Sequence, residues 1–255
     1  MRKALLASAV FLGLTIPAAA ERLVISLSNQ NVAVTSNFVG ETLVLFGTIE
    51  PDAGKTLRPA YDLVLTVTGP PQSLRTRRKE RVLGIWMNVD TREFVSVPSY
   101  LAVLSNRAIE SITPPERLRR LQVGLANTIL TQHIGPDFAD TVPDDPFRTA
   151  FVRLKQQQGL YRQADDGVSF LTPTVFRASI PLPANVATGI YNIDAKLFAQ
   201  GQMLARTSTP LEVTKTGFEQ YVAEAAQNNG FLYGLTAIAM ALMIGWFATV
   251  VFRRD

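Results

Sequence analysis

Four basic side chains, Arg75, Arg77, Lys79 and Arg81, stand at alternate positions in the run Arg75-Thr76-Arg77-Arg78-Lys79-Glu80-Arg81. In an extended strand, alternate residues share a face and lie about 7 Å apart. Like charges in such a row repel one another unless an anion or an acidic surface offsets them. The chemistry expected of this ladder is recognition of an oxyanion, of anionic headgroups or of an acidic loop on a partner. The plainer alternative is a solvated edge strand that its own charges keep from pairing.

Other residues offer less. His133 is the only histidine and the chain has no cysteine. That excludes disulfides, thiolate metal sites, a cysteine nucleophile and a lipoprotein-type anchor. No nucleophile elbow, zinc-protease helix, phosphate loop or dinucleotide fingerprint occurs. Asp137, Asp140, Asp144 and Asp145 crowd into nine residues and could offer oxygens to a hard cation. Their spacing is not that of a calcium loop, so a solvated loop with one aspartate as a helix cap is the simpler reading. Asp165-Asp166 is a carboxylate pair only in sequence, because adjacent residues of an extended chain point opposite ways. The residues therefore predict no enzyme, no metal and no cofactor.

The elements that must hold the ladder read as β. Runs at 23–27, 32–35, 42–49, 61–67, 82–88 and 94–97 are strand-like and split by Gly, Pro and Asn. The middle changes character: Pro114–Val123 and Pro146–Lys155 have helical spacing, with Asp144 or Asp145 available to cap the second. Between them lies a polar loop holding His133. Strands return at 168–171, 175–180, 191–199 and 205–213. Tyr191, Ile193, Ala195 and Leu197 alternate onto one face, and Gly189-x-Tyr191 matches the tyrosine corner of immunoglobulin-like domains. The fold expected is mainly β, an immunoglobulin-like sandwich with a helical insertion at about 107–162.

The ends place this domain. Met1–Ala20 reads as a signal peptide: Arg2 and Lys3, a 13-residue apolar run, Pro17, then small residues, with cleavage between Ala20 and Glu21. Residues 217–230 form an amphipathic stalk. Residues 231–252 are 22 residues without a charge, reaching roughly 33 Å, enough to cross a bilayer. Arg253 and Arg254 close the run in a tail at 253–255 and favour the cytoplasmic side. Gly234, Ala237, Ala241, Gly245 and Ala248 give the helix one face of small side chains, suited to packing against another membrane helix or a second copy. The chain carries net charge +4, but residues 21–230 hold 21 Lys/Arg against 20 Asp/Glu, so nucleic acid is not an expected partner.

Short motifs in a fixed order extend the picture: Ser36–Glu41 with Phe46-Gly47, Gly69-Pro70, Arg77–Lys79, Gly84–Asn88, Pro98–Tyr100, Gly189–Tyr191, Lys215–Glu219 and Gly245-Trp246. In these the chain resembles a family of alphaproteobacterial transmembrane proteins to which no activity is assigned. The resemblance implies a membrane location. Members are encoded beside sulfite-exporter-like permeases, and the resemblance thus implies a transporter as partner. The expected protein is a single-pass inner-membrane protein with a periplasmic domain at 21–216, serving as an interaction or accessory module. The alternative is a tethered binding module for a small anion or anionic surface.

Overall fold

The computed structural model describes residues 21–51, 60–134, 137–217, 226–227 and 230–251. The expected signal peptide at 1–20, most of the stalk at 217–230 and the tail at 253–255 lie outside the described residues; Glu21 is the first residue within them. The protein is mainly β, with strands numbered here along the chain.

A four-stranded sheet takes the order β1 (Arg22–Leu27), β3 (Gly40–Glu50), β12 (Val175–Pro183), β11 (Val168–Phe170). A six-stranded sheet runs β10 (Tyr161–Ala164), β7 (Leu101–Ser105), β4 (Asp62–Thr68), β13 (Gly189–Ala199), β14 (Gln202–Lys215), β2 (Asn31–Val34). Alternation decides what each sheet buries. Leu43, Leu45, Phe176, Ala178 and Ile180 from the first sheet and Leu63, Leu65, Val67, Tyr191, Ile193, Ala195 and Leu197 from the second meet in one core. The expected face of β13 is thus buried as its spacing requires. The Tyr191 hydroxyl donates to the Ala187 carbonyl at 2.6 Å, four residues upstream, which is the bond a tyrosine corner makes. Gly47 pairs across the sheet with Phe176, whose ring lies 2.2 Å from where a Cβ at position 47 would sit. Only glycine admits the ring there.

A third sheet lies outside the expected plan. Its order is β5 (Pro71–Val82), β6 (Ile85–Pro98), β8 (Thr131–Ile134), β9 (Asp137–Asp140). The two short runs expected at 82–88 and 94–97 are parts of one long hairpin. The polar loop expected around His133 is instead the β8–β9 hairpin, docked on β6 through Phe94–Gln132 and Val95–Thr131. Fourteen strands stand among the described residues, where about ten had been legible. The insertion holds α1 (Ile109–Ile112), α2 (Pro115–Arg120), a 3-10 turn at Leu125–Asn127 and α3 (Pro146–Gln157); the helical runs expected at 114–123 and 146–155 fall on α2 and α3. Asp145 caps α3, accepting from the Phe147 and Arg148 amides at 2.7 and 3.2 Å. Arg107 clamps the insertion's first residues to the buried Asp62, donating to both carboxylate oxygens at 2.6 Å.

The helix α4 (Gly230–Val251) is 22 residues long and holds no charged residue. Among the described residues, no helix is long and apolar enough to cross a membrane.

Candidate functional site

The basic ladder lies on β5, the edge strand of the third sheet. β4 and β5 are separated only by Gly69 and Pro70, as β6 and β7 are by Ser99 and Tyr100. The Gly69 amide donates to the Tyr100 carbonyl at 2.8 Å and the Ser99 amide to the Pro70 carbonyl at 2.9 Å, so one hairpin runs from 62 to 105. Its first part belongs to the six-stranded sheet, and its second part leaves that sheet. Arg75, Arg77, Lys79 and Arg81 are all exposed. Across from them on β6 stand Glu93, Thr91, Asn88 and Trp86. Arg75 pairs with Glu93 at 3.2 Å, and on the other face Arg78 pairs with Glu80 at 3.0 Å. Among the described residues no carboxylate pairs with Arg77, Lys79 or Arg81. The ladder is an exposed cationic edge, and Arg77 and Lys79 border an open cleft of about 240 Å³ against Phe147 and Leu154 of α3.

A second constellation lies on the face of the six-stranded sheet that turns toward the insertion. Asp194 and Lys196 occupy the outward positions of β13, yet are only 5% and 4% exposed. Asp194 accepts from Lys196 through one carboxylate oxygen and from the Arg206 Nε, at 2.7 Å, through the other. Lys196 and Arg206 face each other across β13 and β14, so one carboxylate holds two cations. The bond and the charge of Asp194 push the Arg206 guanidinium further up from its usual range. Above the group opens a cleft of about 440 Å³ bordered by Thr66, Asn192, Gln122 and Thr128. The Thr66 hydroxyl is buried there without a hydrogen-bond partner. A cleft with two cations and one carboxylate suits a small anion or a polar group bearing one. The sequence signal was faint: charges at alternate positions of an amphipathic strand ordinarily mean solvent. The expected anion ladder and this cleft are separate places.

A family model described as "Putative transmembrane protein" matches residues 22–254. The chain belongs to that family. It is a family of unknown function, and no curated protein matches the chain.

In this transmembrane-family protein the other expected residues disperse. His133 sits on β8 against the Phe138 ring, 5.0 Å between centroids, and Asp140 accepts from the Thr131 hydroxyl at 3.0 Å. Asp145 is spent on capping, and the Asp137 side chain lies outside those described. No group of three or more His, Cys, Asp or Glu among the described residues is placed to hold a metal. Gly234, Ala237, Ala241, Gly245 and Ala248 all lie in α4 at three- and four-residue steps, so they share a face. α3 also buries two cations, Arg148 and Lys155. Arg148 donates to the carbonyls of Ala126 and Thr128 at 2.9 and 2.8 Å, tying down the 3-10 turn, and burial lowers its pKa. Lys155 lies over the rings of Phe151 and Tyr161, 5.9 and 6.0 Å from their centroids, and burial lowers its pKa too.

Proposed function

We propose that the protein is a single-pass, membrane-anchored β-domain that serves as an interaction or accessory module for an inner-membrane partner, with a permease as the leading candidate. The observation that carries the reading is α4: 22 residues without a charge, about 33 Å of helix, in a chain whose family is a transmembrane one. Arg253 and Arg254 after it favour a cytoplasmic tail and a periplasmic domain, delivered by the signal peptide at 1–20. The domain is read as an immunoglobulin-like sandwich, supported by the shared core of two sheets and the corner bond of Tyr191. The small-residue face supplies a surface for the partner's helix or for a second copy.

Affinity purification from gently solubilised membranes tests this. A stoichiometric membrane protein should co-purify and be lost when Ala241→Leu and Gly245→Leu enlarge the face. A protein that comes out alone would refute the accessory role.

The cleft over Asp194, Lys196 and Arg206 favours a second reading, a tethered binding module for a small anion. Calorimetry of the full chain with sulfate and sulfite should then give saturable heat that Lys196→Met removes. Absence of heat refutes it.

A further inference from the structure

The end of the long hairpin holds an arrangement that neither the cleft nor α4 explains. Val82 pairs with Ile85, leaving Leu83 and Gly84 as a two-residue turn with φ of +50° and +86°. Such turns favour Asn-Gly, because both central residues need positive φ. A leucine there is strained and, at 99% exposed, gains nothing from burial. Ile85, Trp86 and Met87 beside it are also more than half exposed. The register puts Trp86 opposite Arg81 on the ladder face, and Val82 with Ile85 and Met87 on the other. The tip is therefore apolar on both faces and at its end.

A partner lying flat against the hairpin would account for one apolar face. Apolar side chains all round a tip fit end-on entry into an apolar phase. Behind the tip, residues 71–98 hold six Lys/Arg against three Asp/Glu, a strong local excess in a domain that is otherwise near neutral. We infer that this tip inserts Leu83, Ile85, Trp86 and Met87 into the interface of an anionic lipid bilayer, while Arg77, Lys79 and Arg81 engage the headgroup phosphates. Tryptophan suits the interfacial layer, exposed apolar patches of this kind mark interaction sites, and cations near an anionic surface are attracted to it. The topology agrees. Thr68 at the hairpin's root pairs with Asn192 of β13, and Gly189 of β13 pairs with Val213 near the end of β14. The hairpin thus leaves the sheet at the same end from which the chain departs toward α4. The inference rests on the anchoring reading in placing the domain beside a bilayer.

The chain has two tryptophans, Trp86 and Trp246, so single-tryptophan variants of the full chain report tip and helix separately. With Trp246→Phe in nanodiscs containing phosphatidylglycerol, Trp86 emission should shift to the blue and be quenched by brominated lipid. In purely zwitterionic discs the shift should shrink. Each of Arg77→Gln, Lys79→Gln and Arg81→Gln should lower the docked-to-free ratio by about fivefold, and Leu83→Asp with Ile85→Asp should abolish docking. Trp86 left open to aqueous iodide in the anionic discs overturns the proposal, as does shielding seen only in native membranes, which would mean a protein receptor. With Trp86→Phe, quenching of Trp246 reads the anchor independently: if Trp246 is quenched and Trp86 is not, only the tip proposal fails. If Trp246 is not quenched, the anchoring reading fails whatever Trp86 does.

Discussion

Asp194 is the residue on which the buried charge beside the cleft depends. Removing it leaves Lys196 in the interior without its carboxylate partner, whereas removing Arg206 leaves the Asp194–Lys196 pair intact. Breaking a buried pair from one side costs about 3–5 kcal/mol, while a pair with one largely exposed member is worth about 1 kcal/mol or less. The Arg206 side chain is 60% exposed. Asp194→Asn should therefore lower the urea midpoint of the domain far more than Arg206→Gln, and equal losses would show that the triad is not a buried unit. The tyrosines give a pH prediction with a definite sign. Burial pushes Tyr191 up to about 12 and raises Tyr100 and Tyr161 further. Their folded-state pKa values lie above the unfolded value of 10, so above pH 10 the unfolded chain releases protons that the native state keeps. The stability they contribute is intact below pH 10 and drains away as pH rises toward their folded values. Absorbance at 295 nm should show Tyr100, Tyr161 and Tyr191 ionising only as the circular dichroism of the sheets is lost; ionisation ahead of that loss would contradict it. At this scale the sequence was a poor guide to the cleft. Asp194 and Lys196 obey the alternation of a half-exposed strand, and only the insertion, folded across that face from distant sequence, turns them into buried groups.

The elements divide by where their stability comes from. β3, β4, β12 and β13 were legible because alternation and apolar content are written locally, and α3 because Asp145 and Pro146 mark its start. β8 and β9 were not. Each is four residues long and rich in polar side chains; β8 exists as a strand because β6 offers it an edge, and β9 because β8 does. The extent of β5–β6 was hidden for a similar reason: its outer half buries little, so neither strand alternates between an apolar face and a polar one. Its turn carries a separate prediction. Leucine in the left-handed region costs about 1–2 kcal/mol, and asparagine tolerates that region well. Leu83→Asn should slow local opening of the hairpin, raising amide hydrogen-exchange protection across residues 80–87 by roughly fivefold for about 1 kcal/mol, while weakening Trp86 shielding by anionic lipid. More protection with less docking is the signature of a residue kept for contact at the expense of its own turn. Unchanged protection would mean that the tip does not strain its turn.

For the whole molecule, the distribution of charge around α4 sets which way the domain faces in the proposed single-pass topology. Residues 218–230 contain Glu219 and Glu224 but no Lys or Arg, whereas Arg253 and Arg254 follow the helix directly. Orientation follows the Lys/Arg bias close to the span, and the more basic flank stays in the cytoplasm. In the proposed topology the domain faces outward, the side to which the proposed signal peptide at 1–20 would deliver it. An inverted helix would instead have to translocate two arginines. The absence of cysteine makes the arrangement directly measurable, because any introduced thiol is the sole target for a maleimide. Ser169→Cys, at an exposed position of β11, should react with a membrane-impermeant maleimide in cells with a permeabilised outer membrane. Asp255→Cys should react only after the inner membrane is broken. Labelling of both before lysis would mean that α4 does not separate them. Labelling of Asp255→Cys alone would reverse the orientation, putting the hairpin tip and the Lys196 cleft on the cytoplasmic side, where different anions and lipids would meet them.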